Sequence, residues 1–484
     1  MNVYRSRLEH SFTPTIHRRQ RHHVLPFLAV LLLLALCLQC LLLVSLLPAY
    51  SHLLPTDSHQ LAIESYREKA QKSFFNKQQG KCMCKYNKSL NNPAITASTG
   101  STSTTTFTNS TSSTGKSLIA ELCLNQTTPN LILEYPNDAD AHFYEIRMAM
   151  APWMQHTSHK MHHAAGYAGP WIENRWISHF ESLYDDSNGN TTNNHSTDND
   201  CYCLTDIFGP FVPLLLPWVD HWVRNSMRYP PGFLDALTSV LRPTVPYITV
   251  SQNDEGITGY HEFNMTEYPN ILVLSAGGYG HVPIPLFKQE EKTATTKTST
   301  QNRKFSFSYV GSLQHSPRHL RETMHAQLSN LTSTIKVNTS TTLNFYKYYY
   351  GERWRKVMQE SKFSLVPRGY GRTAYHLMET LQMGLIPLYV YSDVPWIPYV
   401  NLYKDLGFMV SYRGGRSVGL VALVQELHGL SMEHVQKREE RIRSYLKSHF
   451  TVSGVLSQLQ NFMLGTNQNN DLVCQRLPRS VRDK

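Results

Sequence analysis

Charge is scarce in this chain. Only 17% of its 484 residues are charged, with 46 Lys and Arg against 36 Asp and Glu, a net +10. A nucleic-acid partner needs basic charge concentrated on one face. Arg5, Arg7, Arg18, Arg19 and Arg21, against Glu9 alone, place four of those ten net charges in the first 24 residues. The rest is spread thinly, so no nucleic-acid partner is expected. Cysteine is sparse as well. Outside one apolar run there are six, Cys82, Cys84, Cys123, Cys201, Cys203 and Cys474, and none is spaced C-x-x-C. That excludes the usual zinc spacing. An even count fits disulfides in an oxidising compartment, with connectivity left open. Apolar side chains are not lacking. Hydrophobic residues are 41% and aromatics 11%, enough for a large core and too many for a wholly disordered chain. The length fits two or three domains.

From Val24 to Leu47 no residue is charged and Leu dominates. As a helix this run spans about 36 Å, enough for a hydrocarbon core of about 30 Å. Arginines precede it. The positive-inside rule then puts residues 1–23 in the cytosol and the rest across the membrane. A cleaved signal peptide is the rival reading, but its apolar core should be about 7–15 residues. A retained anchor at 24–47 is therefore expected. Sequons at Asn87, Asn109, Asn125, Asn190, Asn194, Asn264, Asn330 and Asn338 all follow it. Residues 48–130 read as a disordered stalk, with 96–116 almost purely Ser and Thr.

Beyond the stalk the pattern is α/β. Tyr247–Val250 and Ile271–Leu274 are short apolar runs that read as buried parallel strands. Phe208–Trp218 reads as a strand interrupted by prolines, and the stretch to Leu241 as helix broken at Pro230-Pro231. Asp185–Asp200 and Ser329–Thr342 read as polar loops. Phe305–Val310, Phe363–Val366 and Leu385–Val390 read as strands. Residues 316–328 and Ala374–Met383 read as helices, giving a βαβ pattern. The expected division is 131–287 as an acceptor-side Rossmann-like domain and 288–304 as linker. Residues 305–430 follow as a nucleotide-sugar-binding Rossmann-like domain, then 431–484 as C-terminal helices and tail.

One segment carries most of the chemistry. It runs Ser361-Lys-Phe-Ser-Leu-Val-Pro-Arg-Gly-Tyr-Gly-Arg-Thr-Ala-Tyr-His-Leu-Met-Glu-Thr-Leu-Gln-Met-Gly384. A strand ends at Val366, and the turn Pro367–Gly371 feeds a helix N-terminus, where backbone N–H groups and the dipole favour anions. Arg368 and Arg372 suit phosphate oxygens. Glu379 suits the two hydroxyls of a ribose. It equally suits a buried ion pair with Arg368 or Arg372.

This segment resembles the exostosin-like glycosyltransferase family. Ser361, Lys362, Phe363, Leu365, Pro367, Arg368, Gly369, Gly371, Glu379, Leu381, Gly384, Ile386 and Pro387 match its pattern, and Asp393, Pro395 and Tyr399 fit the stretch after it. Gly280–Phe287 and Phe305–Arg321 resemble upstream elements of the family. The resemblance implies a GT-B fold, two Rossmann-like halves facing a cleft. It implies a nucleotide-sugar donor, usually a UDP-sugar, and inversion at the transferred carbon. It places Arg368, Gly369, Tyr370, Gly371, Arg372 and Thr373 at the diphosphate and Glu379 at the ribose. Arg318 or Arg321 would neutralise the leaving group. Two departures stand out. Ala374 and His376 occupy the family's Ser and Arg positions, and His281 occupies the place of an Asp. No second transferase domain is expected after Tyr399.

Inverting transfer needs a base for the acceptor hydroxyl. The candidates are His281, Asp254 and Glu255, with the choice open. Asp138-Ala-Asp140 and Asp198-Asn-Asp200 read D-x-D but lie outside the core pattern, so no metal is expected, and no cofactor besides the nucleotide-sugar substrate. Trp153, Trp171, Trp176 and Trp218 suit the core better than sugar stacking. His156, His159, His162 and His163 suit a solvated face. The reading is a single-pass Golgi membrane transferase with its catalytic part in the lumen, acting on a glycan or glycoprotein acceptor. Oligomeric state is open. The alternative is a catalytically silent, membrane-anchored glycan-binding or chaperone subunit, motivated by His376. A non-transferase GT-B enzyme fits the anchor and stalk poorly.

Overall fold

The computed structural model describes residues 57–76, 123–124, 131–154, 169–186, 203–288, 290–291, 303–334, 344–413, 417–466, 472–475 and 478. The expected anchor at 24–47, the Ser/Thr tract, Asp198/Asp200 and the histidines at 156–163 lie outside them. Among the described residues no helix is long and apolar enough to cross a membrane.

The stretch expected as disordered stalk contains helix α1 (Asp57–Asn76). Ile63, Tyr66, Arg67, Ala70, Ser73 and Phe74 are its buried or half-buried positions, one stripe at helical spacing. The stripe is easily missed, because half of it is polar or small. Tyr66 reaches the body through ions: its hydroxyl donates to Glu181 (2.9 Å) and accepts from Arg147 (3.3 Å), which also grips Asp185 with two bonds.

The N-terminal half comprises α2 (Ala139–Met150), α3 (Ile172–Asp186), α4 (Leu204–Phe208), β1 (Val212–Pro213), α5 (Trp218–Arg224), α6 (Phe233–Val240), β2 (Tyr247–Ser251), β3 (Ile271–Ser275) and β4 (Val282–Pro283). Its sheet is fully parallel in the order β1-β2-β3-β4. Every residue of β2 and β3 is buried, as expected of strands covered on both faces. The prolines at 230–231 do separate two helices, because proline cannot donate inside one.

The C-terminal half comprises β5 (Phe305–Val310), α7 (Leu320–Thr334), β6 (Asn344–Tyr349), α8 (Trp354–Gln359), β7 (Ser361–Pro367), α9 (Tyr375–Gln382), β8 (Ile386–Tyr391), α10 (Val400–Leu406) and β9 (Phe408–Ser411). Its sheet is also fully parallel, in the order β6-β5-β7-β8-β9. No strand is expected at β6 from sequence. Its aromatic run pairs with β5 at the sheet edge. Three helices follow: α11 (Val418–His428), α12 (Met432–His449) and α13 (Val452–Leu464). The last packs back on α3 and α4 of the first half. A Cys123–Cys474 disulfide fixes one pairing that the sequence leaves open, and the Gln475 N–H donates to the His281 carbonyl beside it (2.7 Å). Cys203 is disulfide-bonded too.

Candidate functional site

The strand order locates the site. In the second sheet the first crossover runs from β5 outward to β6, and the later ones run the other way. The loops after β5 and β7 therefore diverge, and ligands of parallel sheets bind in the crevice such a switch point opens at the carboxyl ends. Arg321, in the first turn of α7, ties the two loops together. Its Nε donates to the Arg368 carbonyl (3.1 Å) and its Nη1 to the carbonyls of Ser312 (3.2 Å) and Gln314 (3.3 Å). Among the described residues no carboxylate lies within ion-pair distance of it. Burial lowers its pKa, opposed by the Tyr309 phenol, and an arginine stays charged regardless. Carbonyls orient this cation without neutralising it. Arg318 sits in the same loop, exposed, with no partner among the described residues.

The turn after β7 is more self-contained than its sequence suggests. Arg368 is fully buried and donates to the carbonyls of Gly371 (2.9 Å) and Tyr370 (3.0 Å), to Ser392 (3.2 Å) and to Asp393 Oδ1 (2.5 Å). Arg372, also buried, donates from Nε to Asp393 Oδ2 (2.8 Å). The N–H groups of Arg368, Gly369 and Arg372 donate to the carbonyls of Val390, Thr373 and Gly277. Those of Tyr370 and Gly371 have no acceptor among the described residues. Tyr370 itself projects from the turn, 57% exposed.

Where the resemblance implies a cleft, the turn meets the first sheet in a hydrogen-bonded seam. Arg372 donates to the carbonyls of Gly277 through its N–H (2.9 Å) and Gly278 through Nη1 (2.6 Å). Thr373 Oγ1 donates to the Ala276 carbonyl (2.9 Å), Trp396 Nε1 to the Ser275 carbonyl (2.9 Å), and Gln252 Nε2 to the Tyr375 hydroxyl (3.0 Å). Gly371 is a glycine for lack of room. A Cβ there would come within 2.3 Å of both Asp254 Oδ1 and the Gly277 carbonyl. The loops at the carboxyl ends of β2 and β3 thus rest directly on the turn after β7.

Glu379 faces His376 on α9. His376 Nδ1 donates to Glu379 Oε2 (3.4 Å), and its Nε2 accepts from Ser364 (2.9 Å). Burial opposes ionisation of Glu379, but His376, Lys288 and Arg355 outweigh it, so its pKa falls below the usual carboxylate value. Among the described residues Glu379 pairs with neither Arg368 nor Arg372, both of which end on Asp393. His376, where the family has an arginine, is therefore the group that holds this carboxylate.

The three candidate bases occupy different environments. His281 is buried, and its Nδ1 accepts the Val273 N–H (3.1 Å). Burial pulls its pKa down to about 4, and the lone pair a base would use is already engaged. Glu255 is 2% exposed beneath the loop after β2. Asp254 is partly exposed and touches Gly371, the nearest of the three to the turn.

Sequence reasoning misses a buried acidic pair beside this seam. Glu173, at the start of α3, accepts the Val219 N–H through Oε2 and the Gln252 N–H through Oε1, each at 2.8 Å. Burial pushes its pKa up to about 8. Asp220 accepts from Trp171 Nε1 (2.8 Å) and Asn174 Nδ2 (2.6 Å). Their partners lie 46 to 79 residues away in sequence, so no local motif reveals them. Trp171, Trp176 and Trp218 are buried, and Trp153 is half-buried. Asp138 pairs with Arg242 and Asp140 accepts from Tyr184, which accounts for that D-x-D without a metal.

No protein-family model matches the chain, and neither does any curated protein. Among solved structures it is similar to one titled "Crystal Structure of TarM", at 10% identity and TM-score 0.29, over 48% of this chain and 53% of that one. It is similar to another titled "Crystal structure of GtfA/B complex", at 12% identity and TM-score 0.25, over 46% of each. The chain spans about half the length of these structures, and likeness at such scores carries no argument. The exostosin-like resemblance rests on the residues quoted for it.

Proposed function

We propose that this chain is an inverting glycosyltransferase of the GT-B type, with its nucleotide-sugar donor at the switch point of the second sheet. The observation that carries the reading is Arg321, a half-buried cation oriented by carbonyls of both switch-point loops and paired with no carboxylate there. A nucleoside diphosphate leaving group needs such a standing positive charge. Of the turn, the free N–H groups of Tyr370 and Gly371 and the projecting Tyr370 ring are what a donor meets. Arg368 and Arg372 act from inside by holding the turn's shape. Glu379, aligned by His376, takes the ribose hydroxyls.

In the reaction an acceptor hydroxyl oxygen attacks the anomeric carbon. The bond from that carbon to the diphosphate oxygen breaks, and the electron pair leaves with the nucleoside diphosphate beside Arg321. The acceptor's proton passes to Asp254, the one candidate base that is both partly exposed and in contact with the turn. The anchor at 24–47, the sequons and the disulfides support a lumenal, Golgi-type placement. Asn264 and Asn330, the sequons among the described residues, are both exposed. Release of nucleoside diphosphate from a panel of UDP- and GDP-sugars tests the reading. Turnover with one donor, lost in Arg321→Gln, supports it.

A silent glycan-binding subunit is the second reading. The observation favouring it is that both motif arginines spend their charge on Asp393. Glycan binding by a folded chain that neither binds nor hydrolyses any donor would select it.

A further inference from the structure

Between β5 and α7 three non-glycine residues lie close together in the left-handed region: His315 (φ 64°), Arg318 (φ 50°) and His319 (φ 54°). For L-residues that region is unfavourable, and the cost persists only where something else holds it. The clustering sits in the loop of the switch point. Within it the two arginines are held very differently. Arg321 is locked by three carbonyls, whereas Arg318 is exposed and has no partner among the described residues. Pro317 fixes the backbone just ahead of Arg318, and the His319 ring contacts Glu322 (2.5 Å), so the strain concentrates on Arg318 and His319.

We infer that His315–His319 is a strap that closes over the bound diphosphate by releasing this strain, delivering the Arg318 guanidinium to the phosphate oxygens opposite Arg321. The inference rests on the donor site proposed above. Arg321 is the resident cation, and Arg318 is the one that arrives with the ligand. A lone arginine in solvent carries a favourable hydration that a bidentate phosphate contact replaces, and relief of two left-handed residues adds to the gain. The strap also explains how a charge can be spared from the resting structure without an unpaired buried cation.

The test uses the full-length, detergent-solubilised chain, with UDP and inorganic pyrophosphate as probes in calorimetric titration. Arg318→Gln should weaken UDP at least about tenfold while leaving the unfolding temperature unchanged, since the side chain touches nothing in the resting state. His319→Gly should raise the unfolding temperature yet weaken UDP several-fold, because the strain that binding discharges is already gone. Trypsin cleavage after Arg318 in the unmodified protein should slow when UDP is added. Wild-type binding that Arg318→Gln leaves within twofold, with cleavage after Arg318 indifferent to UDP, overturns the strap and leaves the donor site standing. Absence of wild-type binding to either probe overturns the donor site and the strap together.

Discussion

Arg321 reaches from helix α7 to the backbone carbonyl of Arg368, 3.1 Å from its Nε, and so joins the loops on either side of the switch point. One arginine serves the site with its charge and the other with its carbonyl. The guanidinium of Arg368 is turned away, into the turn that it braces.

That division predicts opposite phenotypes. Arg368→Gln should lower stability by about 1–3 kcal/mol, because it strands the buried carbonyls of Tyr370 and Gly371 and half of Asp393. Arg321→Gln should chiefly lower UDP affinity, by about tenfold or more. Denaturant melts beside UDP titrations of the two variants check this. Equal effects on both quantities would contradict it.

Gly371 should tolerate no side chain. Gly371→Ala drives a methyl group into the Asp254 carboxylate and the Gly277 carbonyl, and overpacking of this kind costs about 1–3 kcal/mol. Chemical denaturation reads the loss, and an unchanged midpoint would mean that the seam yields freely.

Glu379→Gln keeps the size of the side chain and removes the charge that His376 holds. UDP affinity should fall by roughly 1.5–3 kcal/mol, the scale of a charged hydrogen bond. A folded variant that binds UDP as before would remove Glu379 from the ribose.

Glu173 sets a pH dependence. Its carboxyl titrates near 8 in the folded chain, against an ordinary value of 4.5. The folded state therefore holds a proton that the unfolded chain has lost, and stability falls as pH rises from about 4.5 through 8. His281, drawn down to about 4 from 6.5, works the other way but only below pH 6.5. Between pH 6.5 and 8 the Glu173 slope stands clear of it, at up to about 1.4 kcal/mol per pH unit. Denaturation midpoints across that window should fall in the wild type and flatten in Glu173→Gln. A flat wild-type profile would show that Glu173 is ionised throughout.

The elements that read correctly from sequence are those whose own residues announce them. Ile271–Leu274 is an unbroken apolar run because both faces of β3 are covered, and the prolines at 230–231 end a helix wherever they occur. Helix α1 escaped because Arg67, Ala70 and Ser73 share its buried stripe with the larger Ile63, Tyr66 and Phe74. Strand β6 escaped because it follows a polar stretch with no turn signal. At the site, the turn Pro367–Gly371 is legible as a turn and Arg321 as a cation near it. The inward aim of Arg368 is not legible, because Asp393, which draws it, lies on the next strand's loop. Glu173 and the seam are products of the tertiary fold, made by contacts far apart in the chain.

The central claim is that a nucleoside diphosphate sits between the β5 and β7 loops against Arg321. Calorimetric titration of the full-length chain with UDP, beside Arg321→Gln, tests it most directly. Saturable wild-type binding that weakens about tenfold or more in the variant, with its fold intact, is the predicted result. Wild-type binding unaffected by the substitution would place the nucleotide elsewhere and contradict the account.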